Sequence, residues 1–445
     1  MQQVCSRVTR VFVGTLIHAP CLGEVIISQS ILGIDPQGKI LFIRPYNQLE
    51  AVKGEFEFKD TSIVQLSPSQ FLIPGFIDTH IHAPQYPNTG LGLDKPLLEW
   101  LSAYTFPLEA RFSDPNYARG VYNDVIRDTL RHGTTTACYF TSVHVEAAKV
   151  MCDLIHKWGQ RGLVGKTCMD CNSPPSLSQT LETNIQGSKQ LIAHISQLGS
   201  SLLSPVLTPR FALTCSEECM RALGVLAREG HYHIQTHISE NKREVERAHE
   251  LYPTADSYTH VYQECGLLTD KTILAHAIYL TDQELGICKE ERVGIAHCPV
   301  SNFALKSGVF DSRRILERDI KLGLGTDVSG GYTVSMLEVM RQTLIASTCI
   351  SFQTQDPAYR PLDYREAFHL ATLGGARVLG LEDKVGSFEE GKEFDALLVD
   401  VNSLRSQIRA DPGLSVSEKF QKFFFNGDDR NILEVFVSGR RVETQ

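Results

Sequence analysis

Basic tracts, long apolar runs, internal repeats and low-complexity stretches are all missing from this 445-residue sequence. The lack of a basic tract, with a formal net charge of -9 and a pI near 5.9, argues against a nucleic-acid partner. Affinity for a phosphate backbone rests on Lys and Arg displacing counterions. No stretch approaches the roughly 18 apolar residues of a membrane helix, so no membrane association is expected. The opening residues lack the apolar core and small-residue cleavage site of a secretory signal, which makes the cytosol the expected location. The 12 cysteines are scattered rather than set in the dense framework of a small secreted domain, as suits reduced thiols. Cys138, Cys298 and Cys349 lie in apolar surroundings and are expected as small buried hydrophobes. The chain ends on Gln445 without the apolar residue that a PDZ groove takes, so no such partner is expected.

What is present suits a large soluble core, with 42% hydrophobic and 21% charged residues. The length fits one α/β barrel of about 250 residues plus a smaller companion domain. Short alternating runs open the chain, and Asp35-Pro36-Gln37-Gly38 has the chemistry of a tight turn between two strands. The same texture returns at residues 394–399 and 435–442, where Ser438-Gly439 suits a hairpin turn. Between these terminal β segments, strand-like runs recur near residues 72–80, 134–140, 163–168, 204–211, 232–238, 272–276, 293–297 and 321–326. Segments with helical spacing, such as 117–131 and 240–251, fill most gaps. The pattern predicts a (β/α)8 barrel over residues 72–378, flanked by an N-terminal part at 1–71 and a C-terminal part at 379–445. Residues 402–413 are the best candidate for a long surface loop.

The chemistry-bearing residues fall at the ends of those strands. His80 and His82 stand two positions apart in PGFIDTHIH, which turns both imidazoles to one side of a strand. Such a pair is weak evidence by itself. It gains weight because His237, His276 and Asp327 each end another predicted strand, and barrel active sites lie at the C-terminal strand ends. Three imidazoles and a carboxylate make a donor set suited to zinc with a position left for water, so His80, His82, His237 and Asp327 are read as ligands. His276 is read as a partner of the metal-bound water, with direct ligation left open. Glu240, three positions after His237, is placed to shuttle a proton, although an acidic residue opening a helix would look the same. A competing zinc motif, H-x-E followed by P-C-x-x-C, is approximated by His144-Val145-Glu146 and Cys168-Met169-Asp170-Cys171. Thr167 stands where that motif needs proline, which counts against it.

With these residues and the segments PGFIDTHIHAPQY, LDKPLLEWLSAYTFPLEARF, TPRFALTCSE, THISENKREVE, IAHCPVSN and GLGTDVSGGYTVSML, the sequence resembles the amidohydrolase superfamily. Within it, the sequence is similar almost end to end to the guanine deaminases of the animal type. The resemblance implies hydrolysis of guanine, one Zn2+ per subunit, a homodimer, and terminal β segments paired into one small β-sandwich beside the barrel. It also implies purine contacts from His82, Ala83, Pro84 and Gln85, from Arg210 and Phe211, and from His237, Glu240 and Asp327, with Glu240, His276 and Asp327 catalytic. Gln85 offers a donor and an acceptor to a base edge, and Arg210 offers donors to O6 or N7. His297 carries no chemical role in this reading and is expected in a structural hydrogen bond. An amidohydrolase acting on a triazine or an adenosine derivative would share the metal set, and the Gln85 and Arg210 pair favours guanine. A non-catalytic scaffold would be expected to have lost ligands, and all are kept.

Overall fold

Period-2 patterning at both ends of the chain builds one sheet. In the computed structural model, which describes residues 8–443, Arg10–Cys21 pairs antiparallel with Glu24–Ile34, and that strand pairs with Ile40–Pro45. The opening residues and Gln445, which carried the expectations about a signal segment and a PDZ partner, lie outside the described residues. Gln70–Pro74 joins Arg10–Cys21 in parallel and continues the sheet to Ala396–Asp400, then Ile432–Val437 and Arg440–Val442. Both expected turns form. Asp35 Oδ1 accepts from the backbone N–H groups of Gln37 and Lys39 at 2.9 and 2.8 Å, and Ser438-Gly439 turns with φ of 47° and 74°. The two turns press together so closely that a Cβ at Gly38 would lie 1.8 Å from Ser438 O. Phe12, Phe394 and Phe436 pack inside this sheet with ring centroids 5.3 to 5.5 Å apart. Each such buried ring contributes about 1.5–3 kcal/mol.

The middle of the chain forms the expected barrel. Its eight strands, in order, are Phe76–His82, Thr134–Phe140, Arg161–Gly165, Leu203–Pro209, His233–Ile238, Thr272–His276, Gly294–His297 and Lys321–Leu324, with consecutive strands paired in parallel. Closure occurs just past the eighth strand, where Asp327 N donates to His80 O at 2.9 Å and His82 N donates to Val328 O at 3.1 Å. Thr79 Oγ1 adds a bond to Leu324 O at 2.9 Å.

Three expectations need correction. The run at 72–80 is two strands, because Gly75 sends Gln70–Pro74 into the terminal sheet and Phe76–His82 into the barrel. A Cβ at Gly75 would lie 2.2 Å from Thr135 Oγ1, so only glycine lets the chain cross there. The helix expected from residue 240 begins at Lys242, since Asn241 caps it in a capping box with Glu244. Glu240 therefore stands free of the helix, in the loop that leaves the fifth strand. Cys349 is half-buried on Met336–Gln353 rather than buried, while Cys138 and Cys298 are buried as expected. Residues 402–413 form no helix or strand, and no described helix is long and apolar enough to cross a membrane.

Arg161, buried at the start of the third barrel strand, ties the two sheets together by donating to Glu393 at 2.7 Å and to Asp395 at 3.0 Å. Removing one partner of a buried ion pair leaves the other charge uncompensated. Arg161→Ala should lower unfolding free energy by about 3–5 kcal/mol, read from denaturant titration. A loss below about 1 kcal/mol, the size expected of a surface pair, would mean that this ion pair does not couple barrel and terminal sheet.

Candidate active site

The C-terminal end of the first strand is held to the loop after the eighth by one buried carboxylate. Asp78 Oδ1 accepts from the backbone N–H groups of His80 and Thr326 at 3.1 and 3.0 Å, and Oδ2 accepts from Thr326 Oγ1 at 2.5 Å. Those bonds set His80 and Asp327 against each other, with His80 Nε2 3.1 Å from Asp327 Oδ1. Asp327 turns with φ 46°, and a Cβ at Gly330 would lie 2.9 Å from Asp327 Oδ2, so the glycine-rich turn lets the backbone fold close behind the carboxylate.

The imidazoles are oriented from behind. His237 Nδ1 lies 2.6 Å from Arg210 O and can only donate there, which leaves Nε2 with a lone pair facing inward. His276 Nδ1 lies 2.9 Å from Asn302 Oδ1; with that amide oriented so, the Nδ1–H donates and Nε2 is the free acceptor. His82 Nε2 faces His237 Nε2 at 2.9 Å and Asp327 Oδ1 at 3.5 Å. Donor atoms of His80, His237, His276 and Asp327 all lie within 4.8 Å of one another. Both ring nitrogens of His80 and Nε2 of His276 are buried with no hydrogen bond. Burial lowers the pKa of His80, His82 and His237, so these rings are neutral and able to ligate. Convergent neutral imidazole nitrogens, those of His80 and His276 Nε2 left without a hydrogen bond, together with a carboxylate fit a divalent metal such as zinc.

Two acid groups stand at that centre, Asp327 within the cluster and Glu240 beside it. Burial works to raise the Asp327 pKa, but His80, His276 and His82 outweigh it and hold the carboxylate well below its usual range. Burial pushes Glu240 up to about 7, with Asp327 adding to the rise and His276 opposing it. Glu240 Oε1 accepts from Ser307 Oγ at 2.8 Å, and its other oxygen stands 3.5 Å from His276 Nε2. For His276 burial lowers the pKa, yet the facing carboxylates Glu240 and Asp327 leave it raised. A bound dication would oppose that rise. His276 Nε2, also 3.7 Å from Asp327 Oδ2, is placed either to bind an ion or to hold a water against one.

Opposite the cluster is a second polar group. Glu109, 1% exposed, receives Gln85 Nε2 at 3.1 Å on one oxygen and Arg210 Nη1 at 2.6 Å on the other. Both sets contribute to one cavity, whose lining includes Gln85, Arg210, Phe211, Glu240, Leu97 and Trp100. Apolar walls and a few convergent polar groups suit a flat heterocycle with hydrogen-bonding edges.

The family model described as the Amidohydrolase family matches residues 71–442. The chain belongs to the amidohydrolase family. This amidohydrolase is 42% identical to the guanine deaminase of Dictyostelium discoideum, over 98% of this chain and 99% of that protein. It is 44% identical to the guanine deaminase of Homo sapiens, over 97% of this chain and 96% of that protein. Its fold matches the crystal structure of guanine deaminase from C. acetobutylicum with bound guanine in the active site. The TM-score there is 0.89 and the identity 33%, with 98% of this chain and 100% of that one covered.

His80, His237, His276 and Asp327 converge on one point; His82, expected as a ligand, stands outside that set with its Nε2 turned to His237 Nε2 at 2.9 Å and Asp327 Oδ1 at 3.5 Å, and Gln85, Arg210, Phe211 and Glu240 line the adjoining cavity. Ala83 and Pro84 are buried in the helical turn Ala83–Asn88 that carries Gln85. The Cys168 and Cys171 motif does not assemble: His80, His237, His276 and Asp327 form the one metal-competent cluster among the described residues. His297 departs from expectation. Neither of its ring nitrogens has a hydrogen-bond partner, and it stacks on Phe310 at 4.6 Å instead, with burial holding its pKa down to about 3. Reading the sequence missed Asp78, Glu109, Asn302 and Ser307. Asp78 shares a strand face with His80 and could have been suspected. Glu109 and Asn302 act through contacts that sequence spacing does not announce.

Asn302 holds His276 without touching the cavity. Asn302→Ala should leave metal content within about twofold of the wild type, because the other donors remain, while kcat falls about 10- to 100-fold. Metal analysis beside steady-state kinetics tests this, and unchanged kcat would show that His276 needs no such support.

Proposed function

We propose that this amidohydrolase is a guanine deaminase, converting guanine and water to xanthine and ammonia. The observation that carries the reading is that Gln85 and Arg210 line the same cavity as Glu240, His276 and Asp327. That arrangement offers hydrogen bonds to the carbonyl edge of a purine while its C2 side faces the proton-transfer groups. The 42% and 44% end-to-end identities to guanine deaminases support it.

His80, His82, His237 and Asp327 would hold one zinc ion per chain, with His276 either completing the set or holding the nucleophilic water. Zinc, when bound there, brings the pKa of water to about 7 and so supplies a nucleophile at neutral pH. Glu240, whose pKa near 7 suits both directions of transfer, takes one proton from the attacking water and returns it to N3 as the C2–O bond forms. Asp327, kept ionised by its imidazole neighbours, accepts the second proton and passes it to the 2-amino group. The C2–N bond then breaks, ammonia leaves, and C2=O remains. His276 steadies the charge that builds on oxygen during attack. Arg210 and Gln85 bind the far edge, Ala83, Pro84 and Phe211 flank the ring plane, and His82 and His237 border the C2 side. Assembly as a homodimer, a cytosolic location and a place in purine catabolism complete the proposal and rest on the resemblance to the guanine deaminases.

The purified protein should release one ammonia per guanine and form xanthine, followed by ultraviolet absorbance. Chelation should abolish turnover and zinc should restore it; activity that survives complete metal removal would overturn the metal assignment. Glu240→Gln should retain metal yet lose about 10²- to 10⁴-fold in kcat. Near-normal turnover in that variant would take Glu240 out of the proton path.

A further inference from the structure

Gln85 and Arg210 are not free to choose which atoms they present. The Glu109 carboxylate only accepts, so the Gln85 atom 3.1 Å away must be the amide nitrogen. At the other end of the same amide, Ser329 N–H approaches Gln85 Oε1 at 3.4 Å, and a backbone N–H only donates. Both neighbours therefore select the same one of the two amide flips. Glu109 also binds Arg210 Nη1, so a buried guanidinium keeps its charge compensated while its remaining donors stay free. Arg210 has no acceptor to offer. Glu109 itself does not line the cavity and acts from behind these two side chains.

We infer that Glu109 is a positioning residue that makes the pocket selective for a 6-oxopurine over a 6-aminopurine, by locking the Gln85 amide and the Arg210 guanidinium into a fixed donor pattern. This inference rests on the guanine reading for the class of ligand and adds the residue that sets its selectivity. A purine carbonyl at C6, with N7 beside it, offers acceptors to those donors. An exocyclic amine at C6 instead sets N–H against N–H, and a buried mismatch of that kind costs about 1–3 kcal/mol. In Glu109→Gln the charge is gone, and the new amide can receive either flip of Gln85 by turning over itself. Only the long 3.4 Å contact from Ser329 N–H then still favours the original flip, and a 6-amino group that can be met by Gln85 Oε1 outweighs it.

The test uses the zinc-loaded protein and two ligand pairs. Hypoxanthine and adenine differ at C6 and lack the 2-amino group, so their dissociation constants read selectivity without turnover. Guanine and 2,6-diaminopurine carry the 2-amino group and report the same contrast in kcat/KM. Wild type should favour the 6-oxo member of each pair at least about tenfold, and Glu109→Gln should reduce that preference to less than about threefold. A merely structural role would weaken both members equally and leave the ratios intact, which would overturn the inference, as would wild-type ratios near one. Should Glu109→Gln not fold, Glu109→Asp keeps the charge but not the reach to both partners, and its ratios must fall as well. Failure of wild type to deaminate guanine would remove the guanine reading by itself. The hypoxanthine and adenine ratios would still decide the role of Glu109.

Discussion

The bonds around Asp78 are the constraint on which the site depends. A barrel must join its first strand to its last, and here the junction is made by backbone bonds from Asp327 to His80 and from His82 to Val328. Asp78 reinforces the junction by collecting three donors from both sides of it. Two of the expected ligands thus come from the first strand, a third from the segment that closes onto it, and the closing bonds involve the ligand residues' own backbone. Closing the barrel and assembling the metal-competent cluster are one event. A buried carboxylate is costly unless its lone pairs are satisfied, and this one spends its capacity on the seam.

From that seam outward the site is layered by direction of hydrogen bonding. Backbone carbonyl and amide oxygens behind His237 and His276 take up Nδ1–H groups, which turns lone pairs toward a common centre. Burial keeps the other rings neutral. On the far wall the logic is inverted: a carboxylate behind Gln85 and Arg210 takes up their hydrogens and turns the remaining donors forward. The cavity is thus lined by oriented acceptors and oriented donors together, and Glu240 joins them from a loop that ends before the helix begins. A neutral, flat molecule with an acceptor edge and an electrophilic carbon meets both walls at once.

The terminal sheet does no chemistry in this arrangement. Its contribution is mechanical: Gln70–Pro74 belongs to it, the crossing at Gly75 follows directly, and the first barrel strand starts one residue later. Arg161, which starts the third strand and so lies at the same end of the barrel, ties it to the same sheet through Glu393 and Asp395. The strand that carries His80 and His82 is therefore anchored at its base by one sheet and at its tip by barrel closure.

Much of this was legible in the sequence because periodicity is local. Alternating residues specify strands, the positions of His80, His82, His237, His276 and Asp327 at strand ends specify a rim, and turn chemistry at Asp35-Pro36-Gln37-Gly38 and Ser438-Gly439 specifies two hairpins. The sequence by itself thereby determined the fold class and nominated the candidate ligands and Glu240. It could not divide residues 72–80 between two sheets, since a continuous apolar run looks the same whichever sheet it joins. Nor could it show Glu109 reaching Gln85 and Arg210, 24 and 101 positions away, or Asn302 reaching His276. It also suggested a hydrogen bond for His297 where an aromatic stack formed instead. Those outcomes belong to the tertiary structure, because a hydrogen bond between distant side chains depends on which surfaces the closed barrel brings face to face, and no local pattern encodes that.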